Sequence, residues 1–142
     1  MTENLNSFTE TVNKLVKSTN IALEFAAKTN EAFVTDKDVV IVDDICDTGG
    51  TLAKSAGLLK EKGAKSIRAL ITHPVLSGNA YKTIQNSVLE ELVVCDTIPI
   101  KEGYSKIKVI STDQLFATTI RNAFENKSIN ELFMRSKLAN KK

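Results

Sequence analysis

The stretch Val39-Val40-Ile41-Val42-Asp43-Asp44-Ile45-Cys46-Asp47-Thr48-Gly49-Gly50-Thr51 concentrates the groups of this chain best suited to chemistry. A continuous apolar run delivers two adjacent carboxylates to its carboxyl end, where open α/β sheets place their ligands. Neighbouring side chains on a strand point to opposite faces, so at least one of Asp43 and Asp44 is expected in the crevice. Asp47, Thr48 and Thr51 add a carboxylate and two hydroxyls. Gly49 and Gly50 permit positive φ and let backbone N–H groups approach an anion at the start of the next helix. The whole reads as a phosphate cradle preceded by acids. That combination suits a sugar phosphate, with the phosphate on the amides and the hydroxyls on the carboxylates, which can also hold Mg²⁺ directly or through water. It is not a nucleoside triphosphate P-loop, because the GxxxxGK[ST] spacing and its lysine are absent. The plainer alternative is a βα turn in which Asp47 caps the helix and the glycines only tighten the corner. The strand-loop-helix setting favours the ligand reading.

Positioning these residues requires a sheet. From Lys37 onward, short β-rich runs alternate with amphipathic segments, the pattern of βα units on a parallel sheet. Four strands are expected, Val39 to Val42, Ile67 to Ile71, Leu92 to Cys95 and Ile107 to Ile110, each apolar enough to be buried on both faces. Between the first two, Leu52, Ala56 and Leu59 share a helical face, and Gly63 is placed to end that helix after Lys62. Ser111 with Gln114 forms a capping box, after which Leu115, Phe116, Ile120, Ala123 and Phe124 predict a buried stripe. Ser128 with Glu131 suggests a second box, around Leu132 and Phe133. All six glycines and both prolines lie after residue 48, so the first third lacks strong punctuation. There Phe8, Val12, Leu15 and Val16, then Ile21, Phe25 and Ala26, follow helical spacing, with Lys14, Lys17 and Lys28 read as a solvated face. The expected division is a helical segment over 1–36, an α/β domain over 37–134, and a basic tail over 135–142.

The string VVIVDDICDTGGT resembles the phosphoribosyl-binding signature of the type I phosphoribosyltransferase superfamily. LKEKGAKSIRALITHPVLSGNAYKTIQNSVLEELVVCDTIPI, KIKVIST and NKSINELF narrow the likeness to the C-terminal part of the ribose-phosphate pyrophosphokinase family, from about Asp38 to Phe133. The resemblance implies an α/β, phosphoribosyltransferase-like fold with a mostly parallel sheet and flanking helices, truncated on its N-terminal side. It implies a transferase that moves the β,γ-diphosphoryl group of ATP to the 1-hydroxyl of ribose 5-phosphate, with Mg²⁺, giving phosphoribosyl pyrophosphate and AMP. Carried over residue by residue, Asp43 would bind ribose hydroxyls, Asp44 would support the ribose and metal region, and Asp47, Thr48, Gly49, Gly50 and Thr51 would hold the 5-phosphate. No catalytic residue or metal ligand is assigned. The family's ATP-binding segment, metal-binding histidine and mobile basic loop precede this region, and residues 1 to 36 do not resemble them. The chain is therefore expected to retain a ribose 5-phosphate half-site, with ATP engaged only if another chain supplies the missing domain. Homo- or hetero-oligomers are implied. The alternatives are a noncatalytic partner of full-length subunits or another phosphoribosyltransferase, the latter disfavoured by THPVLSGNA and VVCDTIPI.

Composition narrows the remaining classes. With 142 residues, one compact core is the default. The balance of 19 Lys and Arg against 17 Asp and Glu gives +2, too little to argue for nucleic acid. Apolar runs are too short for a membrane span and the N-terminus lacks a signal-like core, so a cytoplasmic protein is expected. Cys46 and Cys95 have neither CxxC nor Cys/His zinc spacing, and read as a loop spacer and a small core residue. His73, the sole histidine, is read as structural at a strand end, and Ser77-Gly78-Asn79 as a helix cap.

Overall fold

The computed structural model describes residues 34–130 and Leu132; the expected segment over 1–36 lies outside it up to residue 33, as does the tail over 135–142. Four strands, β1 (Asp38–Cys46), β2 (Ser66–Pro74), β3 (Glu91–Cys95) and β4 (Ile107–Ile110), form one sheet in the order β1-β2-β3-β4. Every neighbouring pair is parallel. Helices α1 (Gly50–Glu61) and α2 (Ala80–Asn86) link β1 to β2 and β2 to β3, and α3 (Asp113–Phe124) follows β4. The fold is thus the expected α/β arrangement. No helix among the described residues is long and apolar enough to cross a membrane.

Register explains which side chains form the core. Pairing of Val39 with Ile67, Ile41 with Ala69, Ala69 with Leu92 and Leu92 with Ile107 puts these residues on one face. Leu52, Ala56 and Leu59 of α1 and Ala80, Tyr81 and Ile84 of α2 join the same buried cluster. Each fully buried Leu or Ile, such as Leu59, Leu92 or Ile84, contributes about 1.5–3 kcal/mol over its exposed state. The opposite face is only partly covered: Val40 and Val93 are buried, but Val42 is 45% exposed. Burial of the strands on both faces is therefore incomplete among the described residues.

Helix α1 ends where its sequence dictates. Gly63 takes φ 86°, its N–H reaches the Lys60 carbonyl at 3.0 Å, and the Ala64 N–H reaches Leu59 at 3.0 Å. This is the Schellman arrangement, which satisfies the last carbonyls and turns the chain into β2. The start of α3 departs from the capping-box expectation. Asp96, beyond the end of β3, accepts from the Thr112 N–H (2.8 Å), the Thr112 hydroxyl (2.7 Å) and the Ser111 hydroxyl (2.6 Å). A carboxylate brought by the sheet from a distant part of the chain displaces the local cap. These bonds hold the Asp96 carboxyl below the usual carboxylate range, first through Ser111 and then Thr112.

A depressed folded-state pKa stabilises the fold above the ordinary range of the unfolded group and loses that stabilisation as pH falls through the folded value. Asp96→Ala is expected to cost about 1 kcal/mol near neutrality, the worth of a helix cap. Urea midpoints measured against pH check this, since the variant should lose less stability on acidification than the parent.

The predicted buried stripe on α3 is not buried. The helix has no buried residue, and Phe116, Ile120 and Phe124 are 55%, 68% and 89% exposed; Leu115 is half-buried and Ala123 exposed. Periodicity identified the apolar side correctly, but no described element packs on it.

Candidate functional site

Strand β1 runs through the acid pair before it ends at Cys46, so alternation separates the two carboxylates. Asp43 shares the α1 side of the sheet with Ile41 and lines a cavity of about 450 Å³ together with Asp47, Thr48, Gly49 and Thr51. Asp44 falls on the other face and is absent from that lining, as is Gly50. The Asp44 N–H nevertheless donates to Asp43 Oδ1 at 2.9 Å, which orients the carboxylate and leaves its second oxygen without a partner among the described residues. The cavity floor is apolar, made by Ile41, Leu52, Leu59 and Ile71, and Ser55 adds a hydroxyl one turn beyond Thr51.

Gly49 closes the loop in the left-handed region, at φ 72° and ψ −3°, as the N-cap of α1. No side chain caps this helix. The first intrahelical bond runs from the Ala53 N–H to the Gly49 carbonyl, so the N–H groups of Gly50, Thr51 and Leu52 have no acceptor among the described residues. Their partial positive charge adds to the helix dipole at the end that lies against the cavity.

The loop between β2 and α2 braces this one. Leu76 donates its N–H to the Cys46 carbonyl at 3.0 Å, Ser77 donates its own to the Asp47 carbonyl at 3.1 Å, and the Ser77 hydroxyl bonds Asp47 Oδ1 at 2.5 Å. Leu76 accepts φ 46° to do so, an uncommon conformation for a non-glycine residue, while its side chain is buried. Ser77 was legible only as a helix cap; its contact with Asp47, 30 positions away, carries no local signal. Ser55 had a signal, its i+4 spacing from Thr51, that motif reading passed over.

The other residues singled out stand aside. His73 bonds Thr97 through Nδ1 at 2.9 Å, and the Thr97 hydroxyl donates to the Thr72 carbonyl, also at 2.9 Å. The hydroxyl proton being spent, Nδ1 is the donor, and His73 acts as a strut between β2 and the chain after β3. Cys46 is buried beneath the loop; burial pushes its thiol up, only partly offset by the Gly49 N–H, the setting of a structural rather than a reactive cysteine. Among the described residues, no group of three or more His, Cys, Asp or Glu side chains is placed to hold a metal ion.

Comparison with known proteins gives the family. A match to the phosphoribosyl synthetase-associated domain spans residues 11–134. The chain belongs to this family. The match begins upstream of Asp38 and so reaches into the segment that sequence reading left outside the resemblance. The phosphoribosyl synthetase-associated domain of this chain is 56% identical over 101 residues to the ribose-phosphate pyrophosphokinase of Campylobacter jejuni, covering 71% of this chain and 33% of that protein. It is 54% identical to the enzyme of the same name from Wolinella succinogenes, with the same coverage. The phosphoribosylpyrophosphate synthetase of Mycobacterium smegmatis superposes with a TM-score of 0.64 at 40% identity, over 66% of this chain and 32% of that one. The chain thus spans about a third of the length of the relatives it matches.

Proposed function

We propose that this domain is the ribose 5-phosphate half-site of a ribose-phosphate pyrophosphokinase. The observation that carries the reading is the first turn of α1, whose Gly50, Thr51 and Leu52 N–H groups have no acceptor among the described residues and whose Thr51 and Leu52 line a cavity with Asp43. The 5-phosphate rests on these amides and on the hydroxyls of Thr48 and Thr51, with Gly49 in the left-handed region giving the loop its close turn. The free oxygen of Asp43 accepts from the ribose hydroxyls. Asp44 contributes its N–H, which fixes Asp43, while Asp47 is a positioning residue whose carboxylate is tied to the Ser77 hydroxyl of the neighbouring loop.

Mg²⁺ fits this arrangement in a limited way. It usually keeps several waters and binds through one or two carboxylates plus substrate phosphates, a role Asp43 would fill. When bound, the ion supplies charge neutralisation on the transferred diphosphoryl group. ATP binding and the transfer itself belong, in this reading, to polypeptide beyond the third of the relatives' length that the chain spans. The domain's own share of catalysis is to hold the 1-hydroxyl of the sugar in place for attack on the β-phosphorus.

Titration calorimetry with Mg²⁺ tests the proposal. Ribose 5-phosphate should release heat with saturable stoichiometry and ATP should not. No AMP should form above a blank when the 142-residue chain is mixed with both. Absence of ribose 5-phosphate binding overturns the sugar-phosphate reading, and sustained turnover by the chain alone overturns the half-site.

A further inference from the structure

Ser77 stands where a helix cap belongs and does not serve as one. Its carbonyl accepts from the Ala80 N–H at 3.0 Å, at the start of α2, yet no side chain caps that helix. The hydroxyl turns instead to the loop after β1 and donates to Asp47 Oδ1 at 2.5 Å. The Ser77 N–H donates to the Asp47 carbonyl at 3.1 Å. One serine thus holds both the side chain and the main chain of a residue 30 positions away. To place it, the chain takes the left-handed region on either side, at Leu76 (φ 46°) and Gly78 (φ 55°). An L side chain such as that of Leu76 adopts this conformation only at a cost, and strain of this kind persists where surrounding contacts hold it, often beside a binding site.

We infer that Ser77 is a positioning residue for sugar-phosphate binding, acting through Asp47 from outside the cavity. The inference rests on the half-site reading. Ser77 is exposed and takes no part in the cavity lining, whereas Asp47 and Thr48 do. Two residues after Asp47, Gly49 lies buried against Ile84 and the Ala80 carbonyl of α2. The peptides from Asp47 to Gly49 are therefore fixed at one end by Ser77 and at the other by α2, with Thr48 between. Their planes set the direction from which the chain enters α1, and with it the aim of the Gly50 and Thr51 N–H groups. The family resemblance implies that Asp47 holds the 5-phosphate. A carboxylate offers a phosphate no donor, and Oδ1 is already engaged by the Ser77 hydroxyl. The duty of Asp47 is to receive Ser77.

Titration calorimetry of the full chain with ribose 5-phosphate, run beside urea unfolding, tests this. Ser77→Ala should lower affinity about tenfold, the scale of a small misplacement of binding groups. Ser77→Thr, which keeps the hydroxyl, should recover most of the loss. Asp47→Ala should weaken binding as Ser77→Ala does, and the double variant should lose no more than either alone, because the two act as one unit. Asp47→Asn, which keeps the acceptor and removes the charge, should lose less than Asp47→Ala. A brace that served stability alone would shift the urea midpoints without tying the ligand losses of the two residues together. Unchanged binding in Ser77→Ala, or additive losses in the double variant, overturns the inference and leaves the half-site reading standing. A parent that does not bind ribose 5-phosphate overturns that reading, and the inference with it.

Discussion

Gly49→Ala is expected to weaken ribose 5-phosphate binding roughly a hundredfold and to destabilise the fold, whereas Gly50→Ala should do neither. Gly49 lies at φ +72°, where a Cβ would stand 3.2 Å from Ile84 Cδ1 and 3.3 Å from Cγ1. Ile84 is fully buried and cannot retreat without opening the core. Strain in the left-handed region costs about 1–2 kcal/mol, and crowding adds to it. Relief by rotating the loop would turn the N–H groups of Gly50 and Thr51 away from the cavity, and a loss of about 3 kcal/mol in binding is roughly a hundredfold in Kd. Gly50 begins α1 without positive φ, and a Cβ there meets only the Thr48 hydroxyl at 3.8 Å. Alanine at that position gains helix propensity of about 0.5–1 kcal/mol. Urea unfolding and calorimetry on the two variants check both halves of the prediction.

Neutralising the two acids should have unequal effects. Asp43→Asn replaces a charged acceptor in the cavity with a neutral amide, and hydrogen bonds to charged groups are worth about 1.5–3 kcal/mol. Ribose 5-phosphate affinity should fall by roughly ten- to a hundredfold. Asp44→Asn keeps the backbone N–H that orients Asp43 and changes only a side chain on the opposite face, so its affinity should stay within about twofold of the parent, a difference of about 0.4 kcal/mol. Equal losses in the two variants would count against the division of labour between the sheet faces. Calorimetry at fixed Mg²⁺ reads the difference directly.

The sheet was legible because its strands are continuous apolar runs separated by turn residues, a pattern that survives any tertiary detail. The separation of Asp43 from Asp44 followed from strand alternation in the same way. The unequal duties of Gly49 and Gly50 did not, because positive φ at Gly49 and its tight fit on Ile84 are set by the packing of α2 across the loop. The Asp96 cap escaped for a related reason: its partners lie 15 and 16 positions away and meet it only once β3 and β4 are side by side. On α3, spacing found the apolar ridge but not its surroundings, since a periodic pattern specifies which side is greasy and not what lies opposite.

The contacts that brace the loop after β1 come from the first two βα units: Leu76 on Cys46, Ser77 on Asp47 and Ile84 close to Gly49. The grip is therefore portable. The later strands and α3 can drift in sequence, or be traded for those of a relative, while the cavity beside that loop keeps its shape, so the two halves of this small domain are free to evolve separately.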